Sequence, residues 1–126
     1  VLKGNLKNGY YIKPTVITGL DQLCRTNQEE IFGPVVTVDR FKSDEEALEK
    51  ANATPYGLAA TIWTSNLKRA HHIAEHIDAG IVWINCWLER DLRTPFGGVK
   101  NSGMGREGGF EAMKFFTEPK NVCVKY

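Results

Sequence analysis

His72-Ile73-Ala74-Glu75-His76 has the form HxxEH. On a helix this spacing sets two imidazoles one turn apart beside a carboxylate, a set able to hold zinc and activate a bound water. Gly103-Met104-Gly105-Arg106-Glu107-Gly108 has the form GxGxxG, whose glycines can let a backbone approach a pyrophosphate at a helix N-terminus. Cys86 follows Asn85 at the end of an apolar run, a place from which an α/β enzyme can present a nucleophile. Glu29-Glu30-Ile31-Phe32-Gly33-Pro34 puts carboxylates beside an aromatic and a rigid turn. A carboxylate can accept two hydrogen bonds from a ribose diol and a ring can wall a flat heterocycle, but the same residues also make an ordinary turn with a core Phe.

The elements that must position these groups are legible from Pro34 onward. Val35-Val36-Thr37-Val38 is rich in β-branched residues and reads as the first strand. Ser43-Asp44-Glu45-Glu46 has capping-box spacing and opens a helix to about Asn52, which Thr54-Pro55-Tyr56-Gly57 breaks. Leu58 to Trp63 is a continuous apolar run, expected of a strand covered on both faces. Ser65 or Asn66 caps a second helix whose stripe is Leu67, Ala70, Ala74 and Ile77, with Gly80 as its left-handed stop. Ile81-Val82-Trp83-Ile84 is the third strand, followed by a loop from Asn85 to Ser102, a helix from about Gly109 to Phe116 and a final strand at Asn121 to Val124. This alternation predicts right-handed crossovers and an α/β fold with a parallel sheet, whose ligands sit beyond the carboxyl ends of the strands.

The elements weigh against three of the four constellations. The helical stripe turns His72, Glu75 and His76 toward solvent, and the sequence nominates no third zinc ligand. The GxGxxG run follows a loop instead of a strand, so its glycines are expected to serve close backbone packing. Cys86 has no neighbouring base or helix N-terminus to activate it and reads as a buried thiol.

Composition sets the outer bounds. The chain has 126 residues, one domain's worth, and 16 Lys+Arg against 15 Asp+Glu leave a formal charge of +1. Such a balance, without a basic cluster, gives no long-range attraction to nucleic acid or to an anionic membrane surface. The three widely spaced cysteines, Cys24, Cys86 and Cys123, point to a reducing compartment, hence a cytoplasmic location. A start on Val1 without a signal region suggests a segment of a longer protein.

Five ordered segments are specific together. Gly9-Tyr10-Tyr11-Ile12-Lys13-Pro14-Thr15-Val16, Glu29 to Pro34, Tyr56-Gly57-Leu58-Ala59-Ala60, Pro95-Phe96-Gly97-Gly98 with Lys100 and Ser102, and Gly105-Arg106-Glu107 resemble the C-terminal part of the NAD(P)-dependent aldehyde dehydrogenase superfamily. The resemblance implies the C-terminal portion of the parallel open sheet of that catalytic domain over residues 1–116, with 117–126 as a terminal oligomerisation strand. It implies oxidation of an aldehyde through a cysteine thiohemiacetal, hydride transfer to NAD (NADP not excluded) and thioester hydrolysis helped by a general-base glutamate. The nucleophile and base would lie upstream, in the missing N-terminal portion of the subunit; none of the three cysteines matches the nucleophile motif, so the segment alone is expected to be inactive.

By the same resemblance Glu30 would hold the nicotinamide ribose, Phe32 and Leu58 would approach the nicotinamide, and Phe96 would line the aldehyde tunnel. Arg106 and Glu118 would support subunit contacts in a homodimer or homotetramer. Asn85 to Arg93 is where family members differ, and here it most resembles the muconic semialdehyde dehydrogenases, making Trp87, Arg90 and Arg93 substrate-binding candidates. A guanidinium can hold a substrate carboxylate bidentately. Arg90 is the first choice and Arg93 the second, against the plainer reading that Glu89 or Asp91 pairs with them on the surface. A non-catalytic assembly module and a zinc hydrolase built on His72 and His76 are the rival functions. A sheet deprived of its neighbours would expose apolar patches and self-associate.

Overall fold

The computed structural model describes residues 3–126. A 3₁₀ turn at Gly4–Asn8 precedes β1 (Thr15–Thr18), α1 (Arg25–Gln28), β2 (Val35–Val38), α2 (Asp44–Asn52), β3 (Tyr56–Gly57), β4 (Ala59–Ile62), α3 (Leu67–His76), β5 (Ile81–Ile84), β6 (Val99–Lys100) and α4 (Gly109–Phe116). The chain divides into two compact units, Val1–Ser43 and Asp44–Tyr126.

In the first unit β1 and β2 pair in parallel, Thr15 opposite Val35 through Thr18 opposite Val38. The sequence reading missed β1, although Thr15-Val16-Ile17-Thr18 is as β-branched as the strand it pairs with.

The second unit holds the β-α-β core. β4 and β5 are parallel, Ala59 opposite Ile81 through Ile62 opposite Ile84, and α3 connects them. β3 and β6 form a short antiparallel pair, Tyr56 opposite Lys100. The expected open parallel sheet is thus corrected: among the described residues it consists of two parallel pairs and one antiparallel pair, each two-stranded. Ala59 is exposed and Ile62 buried, so β4 is not covered on both faces within this chain.

Helix boundaries follow local chemistry. Acidic Asp44, Glu45 and Glu46 occupy the first turn of α2, where the helix dipole favours them. Asn66 caps α3, its side-chain oxygen accepting from the Arg69 amide at 3.1 Å. Leu67, expected on the inner stripe, is exposed, while Ala70 is the buried residue of α3. The helix ends in extended backbone at Ile77, so Gly80 is not a left-handed stop. Gly80 is instead required by close approach: a Cβ there would overlap the Gly97 carbonyl.

Leu48, Ile62, Ala70 and Trp83 form the buried core. It is small for the chain's size. A self-contained protein of 14.1 kDa exposes about 6,700 Å², whereas this chain exposes 10691 Å². The apolar side chains left open include Phe110, Met113, Phe115 and Phe116 of α4. Residues 117–126 form no helix or strand within this chain: a strand needs a ladder partner, and the described residues supply none for the strand expected at Asn121 to Val124.

Candidate functional site

The loop after β5 returns to the core through Trp83. This indole is buried, and a buried N–H needs an acceptor; it donates to the Glu89 carbonyl at 2.8 Å. Trp87 meets Trp83 edge-on, with ring centroids 5.4 Å apart, while most of its own ring remains exposed. At the loop's start Asn85 takes the left-handed conformation (φ +55°), and its side chain bonds Thr64 twice, accepting from the amide at 2.9 Å and donating to the carbonyl at 2.8 Å. At its end the Gly109 amide donates to the Leu92 carbonyl at 3.1 Å.

This frame brings Arg90 onto Phe96. The guanidinium carbon lies 4.0 Å from the ring centroid, and Nη2 donates to Glu107 Oε1 at 2.8 Å. Phe96 and Glu107 exchange two backbone hydrogen bonds of 2.7 Å, an antiparallel bridge that fixes the ring and the carboxylate as a unit. The plainer alternative to a substrate carboxylate pairs Arg90 with Glu89 or Asp91; the partner found is Glu107, 17 residues on and invisible to local spacing. Arg93 does pair with Asp91, Nε lying 2.9 and 3.0 Å from the two carboxylate oxygens. Hydrogen bonds from the Arg93 side chain, then from its backbone, hold the Asp91 carboxyl below the usual range, and Asp91 raises the Arg93 pKa in turn.

Leu58 and Phe96 line one cavity of about 340 Å³, with Gly98, Arg106, Glu107 and Phe115 among its other walls. Arg106 donates to the Gly98 and Gly105 carbonyls at 2.9 and 2.6 Å, closing the glycine loop around it. The glycines of the GxGxxG run pack that loop: a Cβ at Gly108 would come within 2.5 Å of the Thr94 carbonyl.

In the first unit Glu30 is exposed, and its carboxylate has no partner among the described residues. Phe32 is 92% exposed and holds φ +53°. A free carboxylate two residues from an open ring fits a ribose diol beside a flat heterocycle. Glu118 lies in the exposed tail.

The remaining constellations stay apart from this chemistry. His72, Glu75 and His76 are exposed on α3, the His76 Nδ1 lying 2.8 Å from the His72 carbonyl oxygen. Among the described residues no three His, Cys, Asp or Glu side chains group as a metal site. Cys24 and Cys86 are half-buried thiols and Cys123 is exposed. No helix among the described residues is long and apolar enough to cross a membrane.

A family model described as the aldehyde dehydrogenase family matches residues 1–122. The chain belongs to the aldehyde dehydrogenase family. It is 53% identical over 124 residues to a 2-hydroxymuconic semialdehyde dehydrogenase of Pseudomonas putida, covering 98% of this chain and 26% of that enzyme. It is 54% identical over 118 residues to a 2-aminomuconic 6-semialdehyde dehydrogenase of a Pseudomonas species, covering 94% of this chain and 24% of that enzyme. The crystal structure of betaine aldehyde dehydrogenase from Staphylococcus aureus in complex with NAD+ superimposes with a TM-score of 0.86 at 40% identity, over 92% of this chain and 23% of that one. The chain therefore spans about a quarter of the length of the relatives it matches.

Proposed function

We propose that these residues are part of an NAD(P)-dependent aldehyde dehydrogenase subunit that oxidises an acidic, conjugated semialdehyde to the corresponding dicarboxylic acid. The observation that carries the reading is Arg90, laid on Phe96 beside the cavity that Phe96 and Leu58 line. A muconic semialdehyde has a carboxylate at one end and an aldehyde at the other. Arg90 takes the carboxylate, Phe96 and Trp87 wall the conjugated chain, and Arg93 is the reserve cation. The similarity to two muconic semialdehyde dehydrogenases supports the same substrate class.

In this reading Glu30 accepts the nicotinamide ribose hydroxyls, while Phe32 and Leu58 bound the nicotinamide. NAD(P) supplies the hydride acceptor when bound. The nucleophilic cysteine and the general-base glutamate come from the rest of the subunit, and Cys24, Cys86 and Cys123 take no part. The motif order supports a position in the subunit's carboxyl-terminal part, with residues 117–126 as an oligomerisation strand and Arg106 and Glu118 at a subunit contact. The reading frame around the segment tests the position directly: a nucleophile motif encoded downstream instead of upstream would overturn it. The free thiols fit a cytoplasmic enzyme.

The test of function is Arg90→Ala in the complete enzyme. Hydrogen bonds to charged groups are worth about 1.5–3 kcal/mol, so KM for an acidic semialdehyde should rise roughly 10- to 150-fold. A neutral aldehyde should be little affected. Equal effects on both substrates would refute the role of Arg90.

A further inference from the structure

We propose that Trp83 is a positioning residue for substrate selection, its indole N–H fixing where the loop presents Arg90. The inference rests on the reading of Arg90 as the substrate's carboxylate partner and extends it to a residue that touches no substrate.

Three observations meet at Trp83. It is 8% exposed on β5, the rigid element from which the loop departs. Its Nε1 donates to the Glu89 carbonyl at 2.8 Å, six residues along the chain. Glu89 is the residue immediately before Arg90, so this bond sets the backbone from which the guanidinium reaches Phe96 and Glu107. The segment between the two ends is not at rest by itself: Leu88 holds φ +56°, a conformation in which a Cβ crowds its own carbonyl. A strained conformation persists only where its surroundings over-determine it, and the Trp83–Glu89 bond closes the loop directly beyond Leu88.

An acceptor on a loop and a donor on a strand make a link that a ring of nearly the same shape but without the N–H cuts cleanly, keeping the contact with Trp87. A smaller ring also leaves space in the core. Trp83→Phe in the complete enzyme keeps an aromatic in the core and removes the N–H. Losing one neutral hydrogen bond corresponds to roughly a tenfold change at most. KM for an acidic semialdehyde should therefore rise about three- to tenfold, with kcat and the KM for a neutral aldehyde unchanged. Benzothienylalanine at position 83, which replaces the N–H by sulfur in a ring of nearly the same shape, should reproduce the effect and covers the case in which the Phe variant does not fold.

The decisive arm is the double variant with Arg90→Ala. If Trp83 acts through Arg90, adding Trp83→Phe to that background causes no further loss with the acidic substrate. Additive losses, equal losses on both substrates, or no loss on either would overturn the proposal. Failure of the Arg90 reading looks different: the Arg90→Ala enzyme would itself keep its preference for the acidic substrate.

Discussion

Phe32 and Phe96 are assigned to the same reaction, yet the chain treats them in opposite ways. Phe32 is 92% exposed in a turn of the first unit, and the carboxylate of Glu30 beside it has no partner among the described residues. Phe96 is half-buried, bridged by its backbone to Glu107 and covered by the Arg90 guanidinium. A group held by its own chain presents a preformed surface, which suits choosing between substrates. A group left open takes its final position from what docks against it. Within residues 44–126 the ring of Phe96 is therefore preformed by its own chain, whereas within residues 1–43 Phe32 and Glu30 are left open.

Gly80→Ala strikes hardest at the braced region. The added Cβ would meet the Gly97 carbonyl, so either the start of β5 or the turn beside Phe96 must move. Overpacking of this kind costs typically about 1–3 kcal/mol. The denaturation midpoint of the complete subunit should fall by a corresponding amount, and acidic substrate discrimination should weaken with it. An unchanged midpoint and unchanged discrimination would show that the turn carrying Phe96 is not braced by Gly80.

Glu30→Gln probes the open region. Replacing the carboxylate should raise KM for NAD roughly tenfold, the scale of one charged hydrogen bond, with the denaturation midpoint unmoved because the residue is exposed and its carboxylate has no partner among the described residues. A fall in stability with no change in cofactor KM would reverse the contrast between the two regions. Asn66→Ala lies outside both and calibrates them. Loss of the cap on α3 should cost about 1 kcal/mol of stability and leave both Michaelis constants alone; a specific change in substrate KM would mean that α3 sets the loop after β5.

What could be read from the sequence follows the range of the interactions involved. α2, α3, α4, β2, β4 and β5 were legible because caps, periodicity and β-branched runs act within a few residues. The exposed face with His72 and His76 followed from the same periodicity. The pairing of Arg90 with Glu107, the Trp83 bond to Glu89 and the contact of Gly80 with Gly97 were not legible, because each joins residues whose approach depends on the return path of a loop. Gly80 shows the difference well: a glycine just past a helix invites the left-handed reading, yet the close approach of a second backbone is the actual constraint. The final strand at Asn121 to Val124 forms no ladder among the described residues for a related reason, since a strand's signal is local and its partner is not.

The smallest effect is expected from Arg93, and it separates the two arginines. Arg93 already satisfies its fork on Asp91, and that pair is exposed. Arg93→Ala should change the ratio of acidic to neutral KM by less than about twofold, as for a surface pair. Acidity gives a second view. The Asp91 carboxyl titrates below its usual range because Arg93 hydrogen-bonds the ionised form. Whatever the pair contributes is therefore present above the ordinary carboxylate range and lost only as the pH falls through the lowered value. Across the neutral range Asp91 stays charged and Arg93 stays engaged, so KM for the acidic substrate should show no titration that Asp91→Asn removes. If Asp91→Asn instead lowers that KM, Arg93 has been released to bind substrate, and the open, exposed arginine rather than the one braced on Phe96 would be the residue that chooses.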